Sequence, residues 1–370
     1  MKKILFVTND IGGLYRFRKE LINSLLNEKN KEIYISSPYG IYSDYFSDLG
    51  CKLIVYNYNR KGKNPFRDFL LFTHYLKTIK KIKPNLVIAY TLKPNIYSSL
   101  ASRFTRTKCF ANVTGLGEIF EKKTIISFLI KKLLKISLRK NEISFFQNES
   151  DLDFFTNLKI IDKEKAILVP GSGVNLIQHP YQEFPKNEII KIIYIGRISD
   201  LKGFDLFLGL AKYFKEISNE LEFHVLGSVE DKKYEILIQE YEKSGYIINH
   251  GFKENVSEYL KVSRLLVNTS LSEGMSNVVL EAHAAGRPAI AADIPGCRDI
   301  IEDGKSGFLF KKGNLESLIK SVKSFCELSI EQQKEMGMYG REIIEKKFDR
   351  NYVISIYLDK INFILQENDI

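Results

Sequence analysis

Two glutamates, Glu273 and Glu281, bracket the segment Glu273-Gly274-Met275-Ser276-Asn277-Val278-Val279-Leu280-Glu281. Glu273 falls on a predicted loop, Gly274 frees the backbone behind it, and Glu281 falls two turns into a predicted helix. Carboxylates anchored in this way accept hydrogen bonds from pairs of hydroxyls, as on a sugar and a ribose. The N–H groups of the intervening loop then face phosphate. A helix-capping glutamate next to an unrelated surface glutamate is the plainer alternative. A second group supplies cations: Gly196-Arg197-Ile198-Ser199-Asp200-Leu201-Lys202-Gly203. An arginine fork and a lysine point charge on one strand-to-helix loop can both reach one diphosphate, beside a helix amino terminus. Two exposed basic residues beside turn glycines would read the same.

The first predicted strand ends at Gly12-Gly13, where backbone amides can approach a phosphate. The chain continues Leu14-Tyr15-Arg16 without the third glycine of a dinucleotide site, and the second strand ends in Ser36-Ser37, not in an acid for a ribose. A nicotinamide enzyme is therefore disfavoured. His283 follows Glu281 with no second ligand at metal spacing and reads as a packed side chain, while His74, His179 and His224 show no constellation. Cys51, Cys109, Cys297 and Cys326 lie far apart, which argues against a zinc site or a disulfide framework and for a reducing compartment. No metal is called for, because Arg197 and Lys202 can neutralise a departing diphosphate.

These residues must be positioned by elements, and the pattern of elements is regular. With 370 residues, 44% hydrophobic and 27% charged, the chain is an ordinary globular protein of two domains, not a disordered or fibrous one. Short apolar, β-branched runs alternate with helix-period stretches. The strands are expected over 3–8, 33–36, 53–56, 86–90, 109–113, 143–147 and 166–169, then 192–195, 221–226, 246–249, 265–268, 289–292 and 308–310. That is the signature of α/β, doubly wound parallel sheets. The Pro- and Gly-bearing stretch 171–188 lacks periodicity and reads as a hinge. The domains are therefore expected at 1–180 and 186–350, with a helix over 351–365 packing back on the first. Ligands of such sheets bind beyond the strand carboxyl ends, which predicts a cleft between facing domains.

Charge is lopsided: residues 1–180 carry a net +15 and residues 181–370 a net −5. A field of this kind suits an anionic partner such as nucleic acid, phospholipid headgroups or a phosphorylated substrate. Within the basic half, residues 122–140 hold seven basic side chains and no acidic one. On a helical wheel Ile125, Ile126, Leu129, Ile130, Leu133 and Leu134 share one face. Lys131, Lys132, Lys135 and Arg139 share the other, and Phe128 interrupts the basic side. The pattern fits a helix lying in an anionic membrane interface, or a core-facing helix with a solvated back. The amino terminus stops being apolar at Asn9-Asp10, and no stretch is long and apolar enough to span a bilayer, so the protein is expected in the cytoplasm.

Taken together, Gly196-Arg197 with Lys202-Gly203, and Glu273 with Glu281 followed by Ala-His-Ala-Ala-Gly-Arg-Pro, resemble the retaining glycosyltransferases of family 4, which have the GT-B fold. So do Pro295-Gly296 and Glu302-Asp303-Gly304 with Gly307-Phe308. In the first half, Tyr90-Thr91-Leu92-Lys93-Pro94-Asn95-Ile96-Tyr97 and Val113-Thr114-Gly115-Leu116-Gly117 are similar to a subgroup that extends polyprenyl-diphosphate-linked oligosaccharides. The resemblance implies two Rossmann-like domains and transfer of a hexose (GalNAc, Gal, GlcNAc or Glc) from a UDP-sugar. It implies a lipid-diphosphate acceptor in surface polysaccharide assembly such as capsule or O-antigen.

By position, the resemblance gives Arg197 and Lys202 the donor diphosphate, Glu273 the donor sugar, and Glu281 the ribose. Gly274, Met275, Ser276 and Asn277 assist Glu273, Gly13 sits against the phosphates, and Phe252 of His250-Gly251-Phe252 lies by the nucleobase. The acceptor falls to Thr91, Lys93, Asn95, Thr114 and Gly115. Many members carry a histidine where this chain has Thr91 and Lys93, so a histidine-dependent mechanism is not expected. No cofactor is implied beyond the UDP-sugar as co-substrate. The implied location is the cytoplasmic face of the inner membrane, docked through Lys131, Lys132, Lys135 and Arg139. The rival readings are a nucleotide-sugar 2-epimerase of the same fold and, more distantly, a nucleic-acid-binding protein, for which no motif appears.

Overall fold

A strand such as Leu86-Val87-Ile88-Ala89-Tyr90 has no polar face, so both of its sides must be covered, and all five residues are buried. The computed structural model describes residues 1–57, 65–115, 124–218 and 220–366, the side chain of Ile126 excepted. The chain forms two units, one of Met1–Ser172 with Asn351–Ile370 and one of Gly173–Arg350.

In the first unit the path is β1 (Lys2–Val7), α1 (Ile11–Leu26), β2 (Lys31–Ser37), α2 (Ser43–Asp48), β3 (Lys52–Val55) and α3 (Pro65–Ile82). It continues through β4 (Leu86–Tyr90), α4 (Leu92–Thr105), β5 (Lys108–Val113), α5 (Ile125–Leu138), β6 (Ile143–Phe146), α6 (Glu149–Asn157) and β7 (Ala166–Leu168). All pairings are parallel, in the order β3-β2-β1-β4-β5-β6-β7, with Phe6 level with Ile35 and Ile88. The winding reverses between β1 and β4, where a doubly wound sheet opens a crevice.

Strand alternation sends Ile4, Phe6, Ile88 and Phe110 to one face, which α1 and α14 (Arg350–Gln366) cover with Leu14, Leu21, Tyr357 and Ile361. Leu5, Val7, Val87 and Ala111 point the other way, under Leu71 and Tyr75 of α3 and Leu134 and Leu138 of α5. Helix α4 packs between α3 and α5. The attachment of α14 is also polar: the Tyr357 hydroxyl donates to Asn112 Oδ1 at 2.5 Å. The Arg18 guanidinium lies 5.1 Å from the Tyr357 ring centroid and 5.2 Å from that of Tyr90.

The second unit runs β8 (Ile190–Ile195), α7 (Phe204–Ile217), β9 (Leu221–Leu226), α8 (Lys233–Lys243), β10 (Ile248–Asn249), α9 (Ser257–Val262) and β11 (Leu265–Asn268). Then follow α10 (Asn277–Ala284), β12 (Ala289–Ala292), α11 (Pro295–Arg298), β13 (Gly307–Phe310), α12 (Leu315–Cys326) and α13 (Ile330–Lys347). Its parallel sheet has the order β10-β9-β8-β11-β12-β13, with the reversal between β8 and β11.

Two expectations need correction. The stretch 171–188 is not a loose hinge throughout, because most of it belongs to the second unit. Phe184 is buried, and the carbonyls of Gln182 and Glu183 accept from the fully buried Arg287 at 2.9 and 2.6 Å. Arg264 likewise donates to the carbonyls of Pro185 and Asn187. The loop carbonyls satisfy two arginines, and that coupling is invisible in composition. The second correction concerns α5. Its inner side is formed by Leu134, Ser137 and Leu138, while Ile125, Phe128, Leu129 and Ile136 are exposed beside Lys132, Lys135 and Arg139. The apolar wheel face is thus divided, and Phe128 belongs to an exposed apolar-and-basic side.

Candidate active site

In the second unit the residues singled out from sequence gather where β8 and β11 end side by side. After β8 comes Gly196-Arg197, then a 3-10 turn over Asp200–Lys202 and Gly203 in the left-handed region at φ +60°. A Cβ at Gly203 would lie 2.2 Å from the Thr269 carbonyl oxygen, so only glycine lets the two loops meet. The Thr269 hydroxyl donates to the Lys202 carbonyl at 2.9 Å, and Leu271 N–H donates to the Leu201 carbonyl at 3.0 Å. This stitching sets the Lys202 ammonium on Glu273 Oε1, a half-buried ion pair.

Glu273 is held further. The Ser270 hydroxyl donates to the same Oε1 at 2.8 Å, and Oε2 makes no hydrogen bond among the described residues. The turn is locked by Asn268, whose Oδ1 accepts from Ser270 N–H at 2.9 Å and whose Nδ2 donates to Ser276 Oγ at 2.5 Å. Ser276 therefore occupies the N-cap of α10 without capping it through its side chain. Asn277 opens the helix with a buried Oδ1 that has no hydrogen-bond partner among the described residues. Gly296 approaches closely enough that a Cβ would lie 2.7 Å from the Glu273 carbonyl oxygen, and its own carbonyl accepts from Ser276 N–H at 2.9 Å. Met275 is buried beneath. An uncapped helix start next to a lysine, with a carboxylate fixed by one oxygen, suits an anion together with a polyhydroxyl group.

Arg197 lies beside this pair on the same loop but is occupied differently. Its Nη1 donates to Glu230 Oε2 at 2.7 Å, and its carbonyl accepts from the Tyr194 hydroxyl at 2.8 Å. Glu281 is on α10, partly exposed, and Phe252 is exposed after Gly251. His283 is fully buried, its Nδ1 3.0 Å from the Arg287 carbonyl, and burial pushes its imidazole down to about 4. His224 does have a partner, in correction of the sequence reading: its Nδ1 is 2.9 Å from His250 Nε2, and its Nε2 is 3.2 Å from Glu222. Adjacent parallel strands bring the two histidines together.

In the first unit the residues collect at the ends of β1, β4 and β5. Gly13 is inside the first turn of α1, and its N–H already donates to the N-cap Asp10 Oδ1 at 2.9 Å. Thr91 stands before α4 with φ +74° and ψ 159°, a strained conformation for a β-branched residue, and its hydroxyl donates to Asn9 Oδ1 at 2.7 Å. Lys93 is ion-paired with Asp68 of α3 at 2.7 Å. Thr114 is exposed, and Gly115 has φ +120°. Asn95 is a correction. It is buried, with Nδ2 donating to the Asn112 carbonyl at 2.7 Å and Oδ1 accepting from Asn112 N–H at 3.2 Å, so it ties α4 to β5. Leu116, Gly117, Lys122 and Lys123 lie outside the described residues. On α5, Lys132, Lys135 and Arg139 are exposed, whereas Lys131 is partly covered, 5.2 Å from the Phe154 ring centroid.

Sequence reasoning missed Asp10, Asn268, Ser270 and Glu230. Asn268 and Ser270 stand in Asn-Thr-Ser, a turn-forming run at the end of a predicted strand, and that signal was present. Glu230 was beyond reach, because its pairing depends on two loops meeting. Among the described residues no group of three or more His, Cys, Asp or Glu is arranged to hold a metal ion.

Two parallel Rossmann-like sheets with site residues at their reversal points define the GT-B class of glycosyltransferase fold. Residues 178–343, within the second unit, match the family described as glycosyl transferases group 1. This match supports glycosyltransferase activity. The whole chain is similar to the N,N'-diacetylbacillosaminyl-diphospho-undecaprenol alpha-1,3-N-acetylgalactosaminyltransferase of Campylobacter jejuni, 26% identical over 96% of this chain and 97% of the relative. It is also similar to the UDP-Gal:alpha-D-GlcNAc-diphosphoundecaprenol alpha-1,3-galactosyltransferase of Escherichia coli, 24% identical over 84% of each chain. Among solved structures, a glycosyltransferase from Rickettsia africae superposes with a TM-score of 0.79 at 19% identity, covering 98% of both chains.

Proposed function

We propose that this chain is a retaining glycosyltransferase that moves a hexose from a UDP-sugar to a lipid-diphosphate-linked saccharide. The observation that carries the reading is the Lys202–Glu273 pair, fixed by Ser270 at the uncapped start of α10. The second unit holds the donor. Lys202 and Arg197 take the diphosphate with the first-turn amides of α10, Glu273 accepts from sugar hydroxyls through Oε2, and Glu281 takes the ribose. The acceptor belongs to the first unit, at Thr91, Lys93, Thr114 and Gly115. Both named relatives act on diphospho-undecaprenol-linked sugars by their names, which supports this class of acceptor.

With Glu273 engaged by Ser270 and Lys202 and read as a binder of the donor, we propose that transfer proceeds on one face. The acceptor oxygen forms a bond to the anomeric carbon as the bond to the diphosphate oxygen breaks. The departing diphosphate takes the acceptor's proton. Lys202 and Arg197 stabilise its developing charge, and we propose that they do so without a divalent ion. The chain works peripherally on the cytoplasmic face of the inner membrane, with Lys132, Lys135 and Arg139 of α5 toward anionic lipid. No helix among the described residues is long and apolar enough to cross a membrane.

A nucleotide-release assay tests this. UDP- and GDP-sugars are offered with and without a polyprenyl-diphosphate disaccharide, in EDTA. Release from one UDP-sugar only when acceptor is present is the expected result and names the donor. Release that ignores the acceptor refutes transfer and favours hydrolysis or 2-epimerisation.

A further inference from the structure

The segment that follows β9, with the first turn of α8, takes no part in the proposed chemistry, yet it holds the stretch that carries Arg197 and Lys202. Ile198 N–H donates to the Ser228 carbonyl at 2.9 Å, and Glu230 N–H donates to the Ile198 carbonyl at 3.0 Å, so the two loops run side by side. Glu230 Oε2 accepts from Arg197 Nη1, and Asp231 Oδ2 accepts from Asp200 N–H at 2.9 Å. The Lys233 ammonium pairs with Asp200 Oδ1 at 2.5 Å and lies 3.9 Å from Asp205 Oδ2. The Tyr234 hydroxyl is 2.7 Å from Asp200 Oδ1 and 2.6 Å from Asp205 Oδ1, within donating distance of both.

Asp200 lies two residues before Lys202, and Asp205 lies three after it, beyond Gly203. One phenol of α8 therefore reaches both ends of the turn that carries the Lys202 ammonium. The phenol itself is fixed: Tyr234 is fully buried, its ring edge-on to that of Phe204 with centroids 5.3 Å apart. The two carboxylate side chains are 60% and 64% exposed, so they add little to the core. Carboxylates beside a diphosphate site would oppose binding of the anion, and Tyr234 and Lys233 offset part of that charge while using the carboxylates as anchors. We propose that Tyr234 is a positioning residue for the donor: through Asp200 and Asp205 it fixes the turn and holds Lys202 where the diphosphate binds. This deepens the proposed function, on whose assignment of Lys202 it rests, and extends the donor site to a side chain that touches no substrate. A displacement of about 1 Å in a preorganised site can cost about 10²-fold in rate, so such a hold is felt in turnover before it is felt in stability.

Tyr234→Phe keeps the buried ring and removes the hydroxyl. In the full chain it is expected to lower kcat about tenfold, to weaken UDP binding by calorimetry several-fold, and to leave the KM for acceptor unchanged. The deciding measurement is a cycle with Lys202→Ala. In that background Tyr234→Phe is expected to change kcat and the Kd for UDP by less than about twofold, because the group it positions is gone. Tyr213→Phe is the control. It removes a hydroxyl that accepts from Lys323 near the other end of α7, and it leaves both quantities unchanged. If Tyr234→Phe does not fold, Asp205→Ala at the exposed anchor carries the same cycle, with the same pattern expected. Parental kcat and UDP affinity in the single variant, or an equal loss in the Lys202→Ala background, overturns the proposal. If the unmodified chain binds UDP but transfers to no acceptor, the functional reading fails, and the cycle read on the Kd still decides the positioning. If it does not bind UDP either, both are overturned.

Discussion

At the residue scale the proposed donor site is a carboxylate held by one oxygen. Ser270 and Lys202 both occupy Glu273 Oε1, which fixes the side chain while the other oxygen keeps its lone pairs for a ligand. Glu273→Gln and Lys202→Ala are expected to lower kcat/KM by about 10³-fold, the scale of one lost electrostatic contact in a preorganised site. Circular dichroism and the melting temperature are expected to stay near those of the parent, since both side chains are half-buried at a loop. A variant that turns over near the parental rate refutes its assigned role. Ser270→Ala keeps the ion pair and loses one orienting hydrogen bond, so a loss of about tenfold is expected. Glu273, Arg197 and Lys202 were legible in sequence as candidates because chemistry-bearing types stood at loop positions. The orienting groups were not, because an asparagine or serine in a turn carries no mark of what it holds.

At the element scale the site depends on two loops touching. Gly203→Ala places a Cβ 2.2 Å from the Thr269 carbonyl oxygen at a backbone with φ +60°. The strained backbone alone costs about 1–3 kcal/mol, and relief requires the 3-10 turn to retreat, carrying Lys202 from Glu273. A lowered denaturant midpoint together with a large fall in kcat is expected. An alanine variant with parental kcat shows that the loop contact is not what positions Lys202. Strand positions were legible to within about two residues because short apolar, β-branched runs leave little ambiguity. Helix α5 shows the opposite case. Its wheel has apolar residues through most of the circle, so only the position of α4 and the sheet decides that Leu134 and Leu138 turn inward and Phe128 outward.

At the scale of the whole molecule, two buried histidines contribute to the response to acid. His283 and His179 are both pushed down to about 4, chiefly by desolvation. An unfolded histidine protonates near 6.5, so the unfolded chain takes up protons first as pH falls. The stability these groups contribute is complete above about 6.5 and is lost progressively toward 4, by about 3 kcal/mol for His283. Denaturant midpoints at pH 7 and 4.5 are expected to differ, and by less in His283→Gln. An unchanged difference in that variant would exclude His283 as a contributor. In the first unit, Tyr357→Phe removes the donor to the buried Asn112 Oδ1 and is expected to cost about 1–3 kcal/mol by denaturant unfolding, showing that α14 is part of that unit's core.

What the sequence determined by itself was local: thirteen strands in two series, the glycines at strand ends, and the charged residues of each loop. These follow from side-chain volume, branching and backbone freedom, which act over a few residues. Tertiary structure decided whatever required distant segments to meet. It put Ser270 and Lys202 on one oxygen, and it tied the stretch around Phe184 to Arg264 and Arg287. It committed Asn95 to Asn112 and exposed an aromatic face on α3 and α5. A hydrogen bond or a buried face depends on the neighbour across the fold, and a linear pattern specifies only one partner of that pair.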